Sequence, residues 1–137
     1  MSGPGNYNQA IIEQYRANGG KTNHPLPLLL LITKGAKSGE TRTNPLAYSR
    51  DGDHYIVLAS KGGAPTNPAW YHNVLANPIV TVEVGDDHFQ ARATPATGDE
   101  YERLFTQHAT QMPGFAEYRQ KTSRQIPVII LERIGAE

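Results

Sequence analysis

The sequence predicts an α+β protein built on a small, barrel-like sheet of about six mostly antiparallel strands, with inserted or peripheral helices. Two hairpin signals carry this prediction, because Asp51-Gly52 and Gly85-Asp86-Asp87 each separate two strand-like segments. Strands that are joined by short hairpins pair antiparallel. The chain also lacks the strand, Gly-x-Gly-x-x-Gly and helix unit of a dinucleotide-binding parallel sheet, so a Rossmann fold is not expected.

The first element is a helix over about residues 6–19. Asn6 is a residue type that caps helices, and Gly19-Gly20 accepts the left-handed conformation that ends them. The apolar face of this helix carries Tyr7, Ala10, Ile11 and Tyr15. Such a face makes only a weak membrane anchor, so packing against the domain is favoured over a peripheral membrane contact.

Three strands follow the helix. Leu28–Ile32 is a short apolar run between a proline and a glycine, which favours a buried strand over a helix. Thr41–Ser49 and His54–Ser60 lie on either side of the Asp51-Gly52 turn and form the first predicted hairpin.

The second half of the chain mixes helices and strands. Asn67 as a cap and Pro68 as the first helical residue predict a short helix to about Ala76. The remaining predicted elements are a second hairpin, two helices broken by Pro113-Gly114, and a last strand. Their ranges are Ile79–Val84, His88–Thr94, Asp99–Thr110, Phe115–Lys121 and Ile126–Ile134.

The composition limits the function. The 137 residues carry 13 Lys+Arg against 13 Asp+Glu, which argues against global electrostatic capture of nucleic acid or an anionic membrane. The absence of cysteine excludes disulfides, thiolate metal sites and a cysteine nucleophile. No apolar run approaches the roughly 18 residues of a membrane span, and Met1–Tyr7 does not resemble a secretion signal. We therefore expect one domain over residues 1–137, no nucleic-acid partner, no stable membrane insertion and a cytoplasmic location.

The first candidate for anion binding is the loop over residues 33–42. Two glycines let its backbone N–H groups turn toward one point. Positive charge comes from Lys34, Lys37 and Arg42, and hydroxyl donors come from Ser38 and Thr41. The spacing is not that of a phosphate-binding P-loop. From the residues alone, an ordinary solvated turn is the favoured alternative.

The second candidate is the segment over residues 59–73. A strand end, Gly62-Gly63 and a helix start bring backbone donors to one place. Trp70 lies in the first turn of that helix, where it either covers a planar ring or plugs the core. Lys61 brings the cations of the two loops to four, against Glu40. Such a patch suits a phosphorylated or carboxylated ligand of modest size.

A third segment, Gln111–Tyr118, places aromatic side chains on a short element. Such a segment can close over a pocket and offer a phenol as a proton donor. An aromatic stripe packed on the sheet is the favoured alternative. The five histidines show no metal-ligand spacing, so no metal site is predicted, and Ser60 has no recognisable triad partners.

The order of these motifs resembles the deazaflavin-dependent nitroreductase family. The resemblance rests on ITKGAKSGETRTNPL, RDGDHYIVLASKGGAPTNPAWYHNVLANP and IPVIILE, and it covers roughly Leu28 to Glu132. It implies a split β-barrel, related to the flavin-binding barrels of pyridoxamine-phosphate oxidases. It also implies a bacterial protein that binds coenzyme F-420, an 8-hydroxy-5-deazaflavin.

The resemblance places the phosphate and lactyl tail of the coenzyme on the first loop and the adjoining strand. It places the ring and ribityl chain on Asn44 and Pro45, on the strand end Leu58–Lys61 and on the helix start Ala69–Asn73. The implied coenzyme-binding residues are Leu30, Leu31, Ile32, Ala36, Lys37, Ser38, Gly39, Glu40, Thr41, Arg42, Asn44, Pro45, Leu58, Ala59, Ser60, Lys61, Ala69, Trp70, Tyr71, His72 and Asn73.

The activity that the resemblance implies is hydride transfer to an α,β-unsaturated carbonyl, a quinone or an activated nitro compound. Ser60 and Tyr118 are the candidates for orienting or protonating the acceptor, and the implied substrate pocket consists of Ala47, Met112, Phe115 and Tyr118. The best-known nitroreductases of the family have three tyrosines in the covering segment and another after the Asn-Pro-Leu motif. Only Tyr118 is retained here, so coenzyme binding is better supported than nitroreduction.

Two other functions stay open. One is an FMN-dependent relative, although Arg42 is the only arginine in the two loops and an FMN phosphate pocket usually needs more. The other is a carrier that binds the coenzyme or a small lipid without turnover, which the missing tyrosines favour. Related barrels often dimerise, so a homodimer is also open.

Overall fold

The computed structural model describes residues 4–22 and 26–136, with side chains described for residues 8–22 and 26–135. His24 and the side chains of Asn6 and Tyr7 lie outside this part. The helices are α1 Pro4–Ala17, α2 Ala69–Ala76, α3 Gly98–Gln111 and α4 Gly114–Lys121. The strands are β1 Leu28–Lys34, β2 Thr41–Ala47, β3 Ser49–Asp51, β4 His54–Leu58, β5 Ile79–Val84, β6 Asp87–Pro95 and β7 Val128–Ala136.

The seven strands form one sheet in the order β2-β1-β5-β6-β7-β4-β3, and every pair is antiparallel. The two edge strands, β2 and β3, are consecutive in the chain and only Tyr48 separates them. The sheet must therefore curl until its edges meet, which makes it a barrel. The predicted α+β class and antiparallel barrel are confirmed.

The strand count is seven instead of about six because the predicted strand Thr41–Ser49 is interrupted at Tyr48. Before this residue the chain pairs with β1, and after it the chain pairs with β4. The Tyr48 backbone N–H donates to the Pro27 carbonyl at 3.2 Å. A change of pairing partner leaves the side-chain alternation intact, so the sequence pattern gives no sign of it.

Both predicted hairpins are present. Asp51 pairs with His54 across Gly52, and Val84 pairs with Asp87 next to Gly85. Both turn glycines have positive φ, as these tight turns require. The last strand begins at Val128 instead of Ile126, because the Ile126 carbonyl accepts a hydrogen bond from the Tyr101 hydroxyl at 2.6 Å.

Strand β1 is buried on both faces. Leu29 and Leu31 face the interior of the barrel, whereas Leu28 and Leu30 pack in a separate cluster with Ile12 and Tyr15 of α1. Each fully buried leucine is worth roughly 1.5–3 kcal/mol relative to exposure. A strand between a barrel interior and a helix needs apolar residues at every position, which explains the uninterrupted run in the sequence.

Helix α1 begins at Pro4, two residues before the predicted cap, so Asn6 lies inside the helix and the cap prediction is wrong. Proline is tolerated in the first turn because the N–H that it lacks has no partner within the helix there. The predicted end is confirmed, since the Gly20 N–H donates to the Tyr15 carbonyl at 2.8 Å. None of the described helices has the length and apolar character to span a bilayer.

Candidate functional site

A cavity of about 790 Å³ lies between the β1–β2 loop and the start of α2. Its volume is in the range of pockets that hold small molecules and cofactors. Nine of the predicted coenzyme-binding residues line it: Ala36, Lys37, Ser38, Arg42, Asn44, Ala69, Trp70, His72 and Asn73. The other lining residues are Gly35, Thr43 and Pro68. The structure thus brings the two predicted anion-binding segments together.

The β1–β2 loop is closed by its own backbone. The Gly35 N–H donates to the Glu40 carbonyl at 2.7 Å, and the Gly39 N–H donates to the Gly35 carbonyl at 3.0 Å. A Cβ atom at residue 35 would lie 2.7 Å from the Ser38 Oγ and 3.2 Å from the Glu40 carbonyl oxygen. Any larger residue at this position would force the Ser38 hydroxyl or the Glu40 backbone to shift, so the loop is a tight edge of the cavity.

Asn73 fastens this loop to α2. Its Nδ2 donates to the Thr33 Oγ1 at 3.1 Å, and its Oδ1 accepts the Ala36 N–H at 3.0 Å. The side chain is buried, with 7% of the residue exposed. Both ends of the amide are therefore engaged within the protein, and Asn73 holds the cavity wall in place.

Positive charge in the cavity comes from Lys37 and Arg42. Arg42 pairs with Glu40 at 3.1 Å, but both side chains are more than half exposed, and such a surface pair contributes little to stability. Lys34 and Lys61 do not line the cavity, and Lys61 Nζ donates to the Thr66 Oγ1 at 3.4 Å. Two of the four predicted cations thus line the described cavity, and the other two do not.

Helix α2 presents its first turn to the cavity. It starts at Ala69 with Pro68 in the cap position and without a side-chain cap. The first N–H groups of a helix have no partner inside it and carry partial positive charge. Trp70 is only 4% exposed and belongs to the barrel core, yet it also lines the cavity. Trp70 therefore packs in the core, as one alternative predicts, and it also borders the space in which the other alternative places a planar ring.

The other predicted coenzyme-binding residues are not part of the described lining. Strand β1 is an interior strand, so its backbone over residues 30–32 is paired with β2 on one side and β5 on the other. The residues outside the lining are Leu30, Leu31, Ile32, Gly39, Glu40, Thr41, Pro45, Leu58, Ala59, Ser60, Lys61 and Tyr71.

The predicted substrate-covering residues lie in the second core cluster. Met112 and Phe115 are buried there among side chains of β4, α3 and β7, and Ala47 packs against the same cluster. Tyr118 is half-buried, with its ring edge-on to Phe115 at a centroid distance of 5.3 Å. These four residues do not line the cavity, so the structure favours the aromatic stripe packed on the sheet.

The predicted cap at Asn67 is wrong. The helix begins two residues later, and the Asn67 Oδ1 instead accepts a hydrogen bond from Arg124 Nη1 at 2.6 Å. Arg124 is the residue near the site that the sequence reasoning missed. The two partners are separated by 57 positions, so neither a motif nor a local pattern could have revealed it.

The comparisons with known proteins agree with this geometry. The family described as "F420H(2)-dependent quinone reductase" matches residues 8–133. A Mycobacterium tuberculosis protein described as an F420H(2)-dependent quinone reductase is 42% identical over 126 residues, which cover 87% of this chain and 85% of its own.

Solved structures give the same result. One described as an "F420-H2 Dependent Reductase" has a TM-score of 0.72 and 42% identity, covering 81% of this chain and 100% of its own. Another, described as a "domain-swapped dimer", has a TM-score of 0.74 and 39% identity, covering 93% and 95%. A Listeria innocua protein provisionally named pyridoxamine 5'-phosphate oxidase is 14% identical with a TM-score of 0.56, covering 96% and 94%, a likeness of fold alone. The resemblance that the motifs indicated is confirmed: the chain belongs to the F420H(2)-dependent quinone reductase family.

Proposed function

We propose that this protein passes hydride from reduced coenzyme F-420 to a quinone, or to another electron-poor acceptor such as an α,β-unsaturated carbonyl or an activated nitro compound. The observation that carries the proposal is the cavity lined by Lys37 of the β1–β2 loop, Arg42 of β2 and Trp70 of α2. Membership of the family and the 42% identity to a quinone reductase support it.

The donor set of the cavity fits this coenzyme. Two cations and the uncapped start of α2 lie around one space, which suits the anionic tail of the coenzyme. Pro68, Ala69 and Trp70 provide an apolar surface for a planar ring. With a single arginine in the lining, the cavity fits a flavin phosphate less well.

When bound, the reduced coenzyme supplies a hydride, and its deazaflavin ring favours two-electron transfer over radical chemistry. Reduction of a quinone to a hydroquinone consumes one hydride and one proton. The chain has to orient the acceptor, exclude water and admit that proton. Ser60 and Tyr118 remain our candidates for the proton donor, and Ala47, Met112 and Phe115 for shaping the acceptor pocket, although none of these five lines the described cavity.

The first test is a titration of Trp70 fluorescence with oxidised coenzyme F-420, with FMN in parallel. We expect micromolar quenching by the deazaflavin alone, because Trp70 lines the cavity. Lys37→Ala should raise the dissociation constant about tenfold by removing a charge that faces the anionic tail. Lys34→Ala is the matched control, since Lys34 is the last residue of β1, close to Lys37 in the sequence but outside the lining. The coenzyme affinity of this variant should stay within twofold of that of the unsubstituted protein.

Turnover is then measured as oxidation of the reduced coenzyme in the presence of a soluble naphthoquinone. Quenching by FMN and not by coenzyme F-420 would contradict the proposal. Tight coenzyme binding without oxidation by the naphthoquinone, an enone or a nitroarene would favour the carrier function. Equal losses in Lys37→Ala and Lys34→Ala would mean that the cavity does not hold the tail.

We also propose that the chain works as a single domain in the cytoplasm and forms a homodimer. A related structure described as a domain-swapped dimer supports the homodimer. Light scattering after size-exclusion chromatography tests the homodimer, and a measured mass near the 15.0 kDa of one chain would contradict it.

A further inference from the structure

We infer that Arg124 is a positioning residue for coenzyme binding, because it holds the loop between β4 and α2, residues 59–68, in one conformation. The inference rests on the proposed function and goes beyond it. The Arg124 side chain donates to four acceptors, spread from the start to the end of this loop: the carbonyls of Ala59 at 3.2 Å, Ser60 at 2.9 Å and Ala64 at 3.0 Å, and the Asn67 Oδ1 at 2.6 Å.

The loop has backbone hydrogen bonds of its own, from the Gly63 N–H to the Ser60 carbonyl at 3.0 Å and from the Ala64 N–H to the Lys61 carbonyl at 3.1 Å, but its conformation is unfavourable at Lys61. Lys61, Gly62 and Gly63 have φ values of 49°, 64° and 84°, so three consecutive residues are left-handed. For Lys61 this conformation is unfavourable, since its Cβ approaches the neighbouring carbonyl oxygen. Such a conformation persists only where the surroundings fix it. A planar guanidinium, which offers five donors in a fixed fork, is suited to that task.

Arg124 is itself held firmly. Its backbone N–H donates to the Thr122 Oγ1 at 3.3 Å, just past the end of α4. Two residues later, the Ile126 carbonyl accepts the Tyr101 hydroxyl of α3 at 2.6 Å. The guanidinium therefore connects a segment anchored on α3 and α4 to the loop that leads into α2. The last loop residue, Pro68, lines the cavity together with Ala69 and Trp70.

The consequence is that the position of the α2 start, and with it one wall of the cavity, depends on Arg124. We expect Arg124→Lys to raise the dissociation constant for oxidised coenzyme F-420 at least tenfold in the Trp70 fluorescence titration, because an ammonium cannot reach four spread acceptors. Arg124→Gln should weaken binding further. In turnover, the KM for the reduced coenzyme should rise while kcat at saturation stays within threefold, as expected for lost positioning.

The matched control is Arg119→Lys. Arg119 lies five residues earlier, pairs with Glu102 at 2.7 Å and lies over the Phe105 ring at 4.2 Å, away from the cavity. Thermal unfolding of both variants measures the general loss of stability. We expect the coenzyme affinity of Arg119→Lys to stay within twofold of that of the unsubstituted protein. This should hold even where its melting temperature falls as much as that of Arg124→Lys.

Amide hydrogen exchange without coenzyme gives a second reading. Exchange over residues 59–68 should be at least tenfold faster in Arg124→Lys, whereas exchange over residues 35–40 should not change. Coenzyme affinity within twofold of the unsubstituted protein, or unchanged exchange in this loop, would overturn the inference. If the unsubstituted protein does not bind coenzyme F-420, the proposed function fails, and faster loop exchange alone would then restrict Arg124 to a structural role.

Discussion

At the scale of single residues, His108 is the least compensated polar group in the described core. It is fully buried, with its Nδ1 2.7 Å from the Ser49 Oγ, and its Nε2 has no hydrogen-bond partner among the described atoms. The ring meets Phe115 edge-on at a centroid distance of 4.5 Å. Burial disfavours the imidazolium and lowers the pKa of His108 to about 4.

This pKa makes the stability of the protein depend on pH. Between about pH 6.5 and pH 4 the unfolded chain binds a proton at His108 that the folded chain does not, so stability falls as the pH is lowered through this window. The contribution of His108 to the free energy of unfolding should drop by about 2 kcal/mol from pH 7 to pH 5. Urea unfolding at the two pH values measures it.

The control for this prediction is His108→Gln, which has no titrating group at this position. Between pH 7 and pH 5 the free energy of unfolding of this variant should fall by about 2 kcal/mol less than that of the unsubstituted protein. Parallel pH dependence of the two proteins would show that folding does not lower the pKa of His108.

At the scale of elements, what the sequence predicts depends on how local the cause is. The turns at Gly52 and Gly85 follow from a few adjacent residues, and both were predictable. The break at Tyr48 depends on which strand pairs with each side of it, and the start of α2 depends on Arg124. These causes lie far away along the chain, so no local pattern contains them.

The same holds for the candidate site. The glycines and cations in and beside the β1–β2 loop indicated an anion site. The hydrogen bond that fixes this loop runs from the Ala36 N–H to the Asn73 Oδ1, and these two residues are 37 positions apart. The predicted covering segment is a similar case, because its side chains pack in the second core cluster of the described structure. Apolar and aromatic residues such as Met112 and Phe115 look the same in the sequence whether they cover a ligand or pack on the sheet.

The β1–β2 loop gives a prediction at this scale. Gly35→Ala places a Cβ 2.7 Å from the Ser38 Oγ and 3.2 Å from the Glu40 carbonyl oxygen, so the hydroxyl or the loop backbone must shift, and coenzyme affinity should fall at least tenfold. The double variant Gly35→Ala/Ser38→Ala removes the closer obstructing atom and should recover part of the affinity. Gly114→Ala is the matched control, because nothing lies within 4 Å of its Cβ position. Full affinity of Gly35→Ala in the Trp70 titration would be inconsistent with a rigid loop.

At the scale of the whole molecule, the chain closes its barrel at Tyr48 and covers the outer face of β1 with its first helix. The Tyr15 hydroxyl is within hydrogen-bond distance of the carbonyls of Leu28 and Glu83 and of the Gly85 N–H, at 3.0, 3.2 and 2.8 Å. One side chain thus joins α1, β1 and the β5–β6 turn, which are separated by up to 70 positions. Such long-range contacts make unfolding cooperative.

The pair formed by Arg16 and Glu83 tests how strongly α1 is tied to the rest of the fold. Arg16 donates from Nε and Nη2 to the two carboxylate oxygens at 3.1 and 2.7 Å, and the Glu83 side chain is only 7% exposed. Arg16→Met should destabilise the protein by about 2 kcal/mol, because the buried Glu83 carboxylate loses its arginine. Glu83 then keeps the His88 Nε2 at 3.6 Å. The loss of stability is limited because the Arg16 side chain is itself half exposed. Arg16→Met/Glu83→Met removes the carboxylate that has lost its arginine and should recover most of that stability in urea unfolding. If the double variant is as unstable as the sum of the two single variants, the pair does not act as a unit, and α1 is held by its apolar face and Tyr15 alone.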